Sequence, residues 1–284
     1  MTTDILLPVA LAFIMGSLGL TLTPADFRRV LVAPRGVAVG LLNLLLIAPL
    51  LAFGVAEVFD LEPIFAVGLV IMGAAPGGVM ANLLTHLARG QTALSITMTA
   101  VSSICAVLTV PLYLKLAIDH FDAPVGDDVS MLGTVARVFL ITLIPLAVGM
   151  AYRARNSARA LEIEPQFKKW AFVVFVAVVI AAVASEWETA TESFGTVAPA
   201  TLALNVAAMS VSFLAARAVR LPDPSATAIA MELGVHNSTL TITVATAIDD
   251  RLAIPAAVYS LFMFLTAFPF AALMARRNAA AAPA

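Results

Sequence analysis

The sequence predicts an all-α polytopic membrane protein with nine transmembrane helices, and three observations predict it. Charged residues are 12% of the 284-residue chain, apolar types are 61%, and mean hydropathy is +1.00. A soluble domain with half the usual charge would have no surface to offer water. Nine apolar runs, at 5–22, 36–56, 64–88, 93–115, 129–152, 170–187, 196–218, 225–247 and 253–275, each approach the ~20 residues that cross a bilayer as helix. The linkers between them alternate in charge.

That alternation orders the runs. Arg28, Arg29 and Arg35 follow the first, Glu57, Asp60 and Glu62 the second, and Arg89 the third; Asp119, Asp122, Asp127 and Asp128 follow the fourth. Arg153, Arg155, Arg159, Lys168 and Lys169 come next, then Glu186, Glu188 and Glu192, then Arg217 and Arg220, then Asp249 and Asp250, and finally Arg276 and Arg277. Thirteen of the 16 Lys and Arg residues fall on one side. By the positive-inside rule that side is cytoplasmic, with the N-terminus outside and the C-terminus inside. The first run lacks a basic flank before it and reads as a retained span, not a cleaved leader. Trp170 and Trp187 bracket the sixth run as interfacial anchors. No linker is long enough for a soluble domain, so 1–284 is one membrane domain, with 278–284 a flexible tail. The expected setting is a multi-pass place in the plasma membrane, the inner membrane of a bacterium. The lone Cys105 forms no intrachain disulfide, and a net charge of −2 leaves no nucleic-acid footprint.

Two runs are interrupted near their middles. Ala74-Ala75-Pro76-Gly77-Gly78 lies roughly 18 Å from the outer end of the third run, and Gly234 roughly 15 Å from the inner end of the eighth. Both depths are near the midplane, approached from opposite sides. Backbone freed there survives only where it lines protein or a water-filled cavity. Met231–Ser238, read Met-Glu-Leu-Gly-Val-His-Asn-Ser, also puts an acid, an imidazole and an amide inside an apolar run. An intramembrane acid such as Glu232 faces protein, water or a cation. Paired interrupted helices point to a secondary-transporter site, where side-chain oxygens hold a cation and half-helix N-termini present amides to an anion.

The fourth run adds hydroxyls. Ser95 and Thr99, four apart, share a helix face, with Ser102 a turn further. Such hydroxyls also bond back to carbonyls of their own helix, which is the competing reading. With Asn82 and Glu232 they present oxygens only, a donor set suited to a hard cation such as sodium. An anion would then sit at the amides around Gly78, Val79 and Met80 and around Asn237 and Ser238.

Four segments resemble the bile acid:sodium symporter family: Gly-Leu-Thr-Leu-Thr-Pro-Ala-Asp-Phe at 19–27, Ala-Pro-Gly-Gly-Val-Met-Ala-Asn at 75–82, Leu-Ala-Arg-Gly at 87–90 with Ala-Leu-Ser at 93–95, and Glu-Leu-Gly-Val-His-Asn-Ser at 232–238. The resemblance implies an inverted-repeat transporter with a core and a panel domain, two crossing discontinuous helices, and a first repeat lacking one helix. It implies a first sodium site at Asn82, Ser95, Thr99 and Glu232, with Ala81 where relatives often carry a serine ligand. A second site would use Glu232, the carbonyls of Leu233 and Val235, and His236 in place of a glutamine; another glutamine aligns with Leu44, beside Asn43.

The resulting expectation is a sodium-coupled symporter importing a small or amphipathic organic anion, such as a bile acid or a pantoate-like acid, by alternating access. Sodium is the coupling ion, no other cofactor is implied, and the chain works as a monomer in the bilayer. A proton-coupled transporter using Glu232 and His236 is the alternative. An intramembrane enzyme would need a nucleophile or a ligand cluster, and the three histidines and one cysteine are scattered.

Overall fold

A computed structural model describes residues 3–32, 34–125 and 130–280. Asp127 and Asp128 of the acidic linker after the fourth run, and residues 281–284 of the expected tail, lie outside the described residues. Among the described residues all regular structure is helical: α1 (Thr3–Thr21), α2 (Pro24–Val32), α3 (Pro34–Leu42), α4 (Ala48–Val58), α5 (Pro63–Gly73), α6 (Val79–Leu87), α7 (Thr92–Phe121), α8 (Met131–Val138), α9 (Ile144–Arg155), α10 (Ser157–Ser185), α11 (Trp187–Ala218), α12 (Asp223–Gly234), α13 (Ser238–Thr246) and α14 (Ile254–Ala280).

Local chemistry sets the interruptions. α3 and α4 join through a π turn at Asn43–Ile47, and α8 and α9 through another at Phe139–Leu143, each two residues before a proline, Pro49 or Pro145. Proline removes the amide that would fill the carbonyl four residues earlier and crowds it, so the helix widens there. At the first turn the Tyr113 hydroxyl donates to the freed Leu45 carbonyl at 2.8 Å. α1 and α2 meet at 68°. Thr23, just before Pro24, and Asp26 form a capping pair at that bend, the Asp26 carboxylate accepting from Thr23 N at 2.8 Å and Thr23 Oγ1 at 2.7 Å.

Among the described residues six helices are long and apolar enough to cross a membrane, Pro34–Val58, Thr92–Phe121, Leu132–Arg155, Ser157–Ser185, Trp187–Ala218 and Asp250–Ala280, or seven if bent α1 and α2 make one span. The chain is therefore an all-helical, polytopic membrane protein. Nine runs were expected to cross, two of them interrupted; the runs that fall short are those two, the third and eighth, and the bent first run unless α1 and α2 make one span. The third and eighth are each two short helices, of 11 and 9 residues in α5 and α6 and of 12 and 9 in α12 and α13. Eleven residues reach only about 16 Å, half of the hydrocarbon thickness. The first three residues of the expected flexible tail, 278–280, are helical. α14 continues to Ala280, and buried Asn278 donates to the Ala88 carbonyl at 2.9 Å, because it docks at the end of α6.

The four half-helices are sheathed by the long ones. α12 packs on α6, α7, α11 and α14, and α5 on α4, α7 and α14. α1 and α9 touch at backbone distance: a Cβ on Gly19 or Gly149 would overlap the other helix, so only glycine permits this approach. On the outer faces large apolar side chains such as Leu132, Ile180, Leu214 and Leu273 are exposed, as lipid contact requires. Trp170 and Trp187 are exposed at the two ends of the α10 apolar segment. At the basic end, Asp223 pairs with Arg217 and Arg277, each at 2.6 Å, joining the ends of α11, α12 and α14.

Candidate functional site

The two breaks meet each other. Gly78 N donates to the Val235 carbonyl and Asn237 N to the Pro76 carbonyl, both at 2.8 Å, and Gly77 and His236 face one another in an isolated antiparallel bridge. Backbone groups that lost helical partners at Pro76-Gly77-Gly78 and at Val235–Asn237 thus satisfy one another.

Beside the bridge, three helices contribute one cluster of oxygens. Glu232 comes from the last turn of α12, Asn82 from the first turn of α6, and Ser95 and Thr99 from successive turns of α7. Ser95 Oγ donates to Glu232 Oε1 and lies 2.8 Å from Asn82 Oδ1. Thr99 Oγ1 is 2.9 Å from both Glu232 carboxylate oxygens and 3.4 Å from Asn82 Oδ1. Glu232, Ser95 and Thr99 are each fully buried. Two hydroxyl hydrogens therefore face three carboxylate and amide acceptors, an oxygen-rich set with one negative charge. It suits a hard monovalent cation, and no cluster of three or more His, Cys, Asp or Glu exists among the described residues to favour a transition metal.

Ser102 lies apart from that cluster. Its hydroxyl bonds back to the Thr99 carbonyl at 3.3 Å and accepts from Gly77 N at 3.4 Å, so it supports the break. Thr85, which the sequence reading passed over, donates to Ser95 Oγ at 3.3 Å.

The residues expected at a second cation site surround the other side of the break. Leu233 O accepts from Tyr259, Val235 O accepts from Gly78 N, and His236 Nδ1 lies 2.9 Å from the Met72 carbonyl. His236 Nε2 is buried with no partner among the described residues. Leu44 is buried, and neighbouring Asn43 turns its amide back to the Val39 carbonyl at 2.7 Å.

The anion-site residues converge as well. Gly78, Val79, Met80, Asn237 and Ser238 all line one cavity of about 40 Å³, which Phe172 and Phe175 of α10 and Met263 of α14 also line. Asn237 also caps its own helix, its side chain accepting from Leu240 N at 3.2 Å. The cavity is large enough for a water but far below the roughly 300 Å³ at which ligand pockets begin. Further along the α10/α14 seam, toward Trp187, an apolar cavity of about 620 Å³ lies between α10, α11 and α14.

The family model described as the sodium bile acid symporter family matches residues 8–193, more than half of the chain. The chain belongs to this family. It is a family of membrane transporters, not of enzymes, and membership makes the chain a sodium-coupled solute cotransporter. The uncharacterized sodium-dependent transporter YocS of Bacillus subtilis is 32% identical over 255 residues, which cover 89% of this chain and 78% of the relative. A probable chloroplastic sodium/metabolite cotransporter of Oryza sativa is 30% identical over 265 residues, 92% of this chain but only 61% of the relative's length. The human ileal sodium/bile acid cotransporter is 29% identical, over 84% of this chain and 68% of its own.

Tyr259, Asn205 and Thr266, all near the second break, escaped the sequence reading. A lone Tyr, Asn or Thr in an apolar helix carries no spacing signal. Their partners lie 25 to 61 residues away along the chain.

Proposed function

We propose that this symporter imports a small or amphipathic organic anion, such as a bile acid or a pantoate-like acid, with sodium held by Asn82, Ser95, Thr99 and Glu232. The observation that carries this reading is the convergence of those four side chains, from three helices, on one oxygen-rich point beside the bridged breaks. A cation there neutralises the buried carboxylate and ties α6, α7 and α12 together. The anion binds at the amides of Gly78, Val79 and Met80 and at Asn237 and Ser238, where the N-terminal ends of α6 and α13 supply attraction without a dedicated arginine.

The cavity at those amides is too small for an organic anion in this conformation. Substrate entry therefore needs α10, with Phe172 and Phe175, to move away from the breaks. In the proposed architecture α1, α8, α9 and α10 form the panel and the remaining helices the core, and the two rock against each other. Counting each broken pair as one crossing yields nine, with the N-terminus outside, the C-terminus cytoplasmic and a first repeat one helix short. The nearly equal half-helix lengths and the antiparallel meeting of the breaks support the inverted repeat. Similarity to a bacterial relative supports a plasma-membrane location, and the chain is proposed to act as a monomer.

Sodium drives import only if it binds the substrate-ready state better than the others. The test is thermal unfolding of the purified protein in sodium against equal potassium. A cation at 100 times its dissociation constant stabilises by about 2.7 kcal/mol. Absence of a sodium-specific shift would sink the reading. Stability and uptake that follow pH and ignore sodium would favour proton coupling through Glu232 and His236, for which the unpartnered His236 Nε2 is the one structural argument.

A further inference from the structure

A helix that breaks releases the carbonyls of its last turn, and something must meet each of them. After α12, Val235 N still reaches the Met231 carbonyl at 2.9 Å. Asn237 N then turns to Pro76 and Ser238 N to the His236 carbonyl, so Leu233 O and Gly234 O lose the amides that would have continued the ladder. Side chains meet both. The Tyr259 hydroxyl on α14 lies 3.3 Å from Leu233 O and 3.2 Å from Gly234 O, a hydrogen shared between two carbonyls. The Asn205 amide on α11 donates to Gly234 O at 2.7 Å, and Thr266 donates to Asn205 Oδ1, which fixes that amide in its donating orientation.

Tyr259 and Asn205 are both fully buried. The His236 ring stacks on the Tyr259 ring, centroids 5.9 Å apart and planes 17° apart, and its other face of contact is the Met72 carbonyl at Nδ1. The contrast with the Glu232 cluster is chemical. Around Glu232, acceptors outnumber hydrogens. At the second break, neutral N–H and O–H donors already point at the freed carbonyls, and a cation approaching Leu233 O or Gly234 O would face those donors at close range.

We infer that the crossing binds one sodium ion, at Asn82, Ser95, Thr99 and Glu232, and that Tyr259 and Asn205 supply to the second break the positive partners that a second cation would otherwise bring. The inference rests on the sodium-symport reading and assigns its stoichiometry. Tyr259 and Asn205 are positioning residues in this scheme: they hold α12 closed at Gly234 and so fix where Glu232 points. One sodium then accompanies each substrate molecule, and import of a monoanion moves no net charge.

The experiment is equilibrium dialysis of the detergent-purified full chain against radioactive sodium, with potassium keeping ionic strength constant. The wild type is expected to bind one ion per chain along a hyperbolic isotherm. Two ions per chain would overturn the inference and leave the symport reading standing. No bound ion would overturn the symport reading, and the stoichiometry with it. Tyr259→Phe keeps the ring against His236 and deletes only the donor. It is expected to admit a second, weaker sodium ion at the opened carbonyls; a count still at one, with an unfolding temperature equal to the wild type's, would overturn the role of Tyr259. The wild-type count decides the stoichiometry whether or not that variant folds.

Discussion

Gly77 lies flat against Glu232, so close that a Cβ at position 77 would overlap Oε2 of the carboxylate. The first break therefore forms the wall on which the acid of the second half of the chain rests. Overpacking of this kind typically costs about 1–3 kcal/mol. Gly77→Ala is expected to push Glu232 away from Ser95 and Thr99 and to weaken sodium binding roughly tenfold or more, which is about 1.4 kcal/mol. A sodium titration of the thermal shift checks it, and an unchanged midpoint would contradict the packing argument.

Glu232→Gln preserves shape and removes charge. Its amide nitrogen would meet the hydroxyls of Ser95 and Thr99, which now donate to the carboxylate. The variant is expected to insert and fold, to lose the sodium-specific shift of about 2.7 kcal/mol, and to lose sodium-driven uptake. Normal sodium-driven uptake by this variant would refute the cation site.

Ser95→Ala and Thr99→Val each delete one oxygen while keeping the helix. Hydrogen bonds to charged groups contribute about 1.5–3 kcal/mol, so each variant is expected to lose about tenfold or more in sodium affinity. Thr99→Ser, which retains the hydroxyl, is expected to stay near the wild type. Equal losses in Thr99→Ser and Thr99→Val would assign the effect to packing.

His236→Gln tests the rival coupling. A glutamine amide can still donate to the Met72 carbonyl that His236 Nδ1 now faces, although the ring contact with Tyr259 is lost. Uptake is expected to persist within about threefold, a change worth under 1 kcal/mol, and to depend on sodium as before. Complete loss of uptake in a well-folded His236→Gln protein would argue for imidazole chemistry.

Asn205→Leu removes the donor to Gly234 O without removing volume. Leaving a buried carbonyl unmet costs about 1–3 kcal/mol, and a lower unfolding temperature is expected in sodium and potassium alike. A loss confined to sodium would mean that Asn205 acts on the cation and not on the backbone.

Much of the site was legible because hydrocarbon penalises polar groups so heavily that each one announces itself. Glu232, Asn82 and the i, i+4 pair of Ser95 and Thr99 stood out from their apolar runs, and the structure brings all four together. Ser102 stood out by the same criterion and bonds back to its own helix, because a hydroxyl's choice between backbone and ligand depends on which way its helix turns. The interruptions of the third and eighth runs were legible in Pro76-Gly77-Gly78 and Gly234, where apolar composition continues but the hydrogen-bond ladder does not; how short α5, α6, α12 and α13 are was not.

By itself the sequence determined what each run must avoid and which residues could not face lipid. It carried the helical class, the alternating charge of the linkers, the two breaks and the candidate ligands, all of which follow from the cost of desolvating local groups. Only the tertiary structure decided that the breaks pair with each other through Gly78, Val235, Pro76 and Asn237, and that Tyr259 and Asn205 meet the carbonyls of Leu233 and Gly234. Those contacts join helices far apart in the chain. Lipid-facing and protein-facing sides of such helices are equally apolar, so no periodicity in the sequence marks which face turns inward to meet its partner.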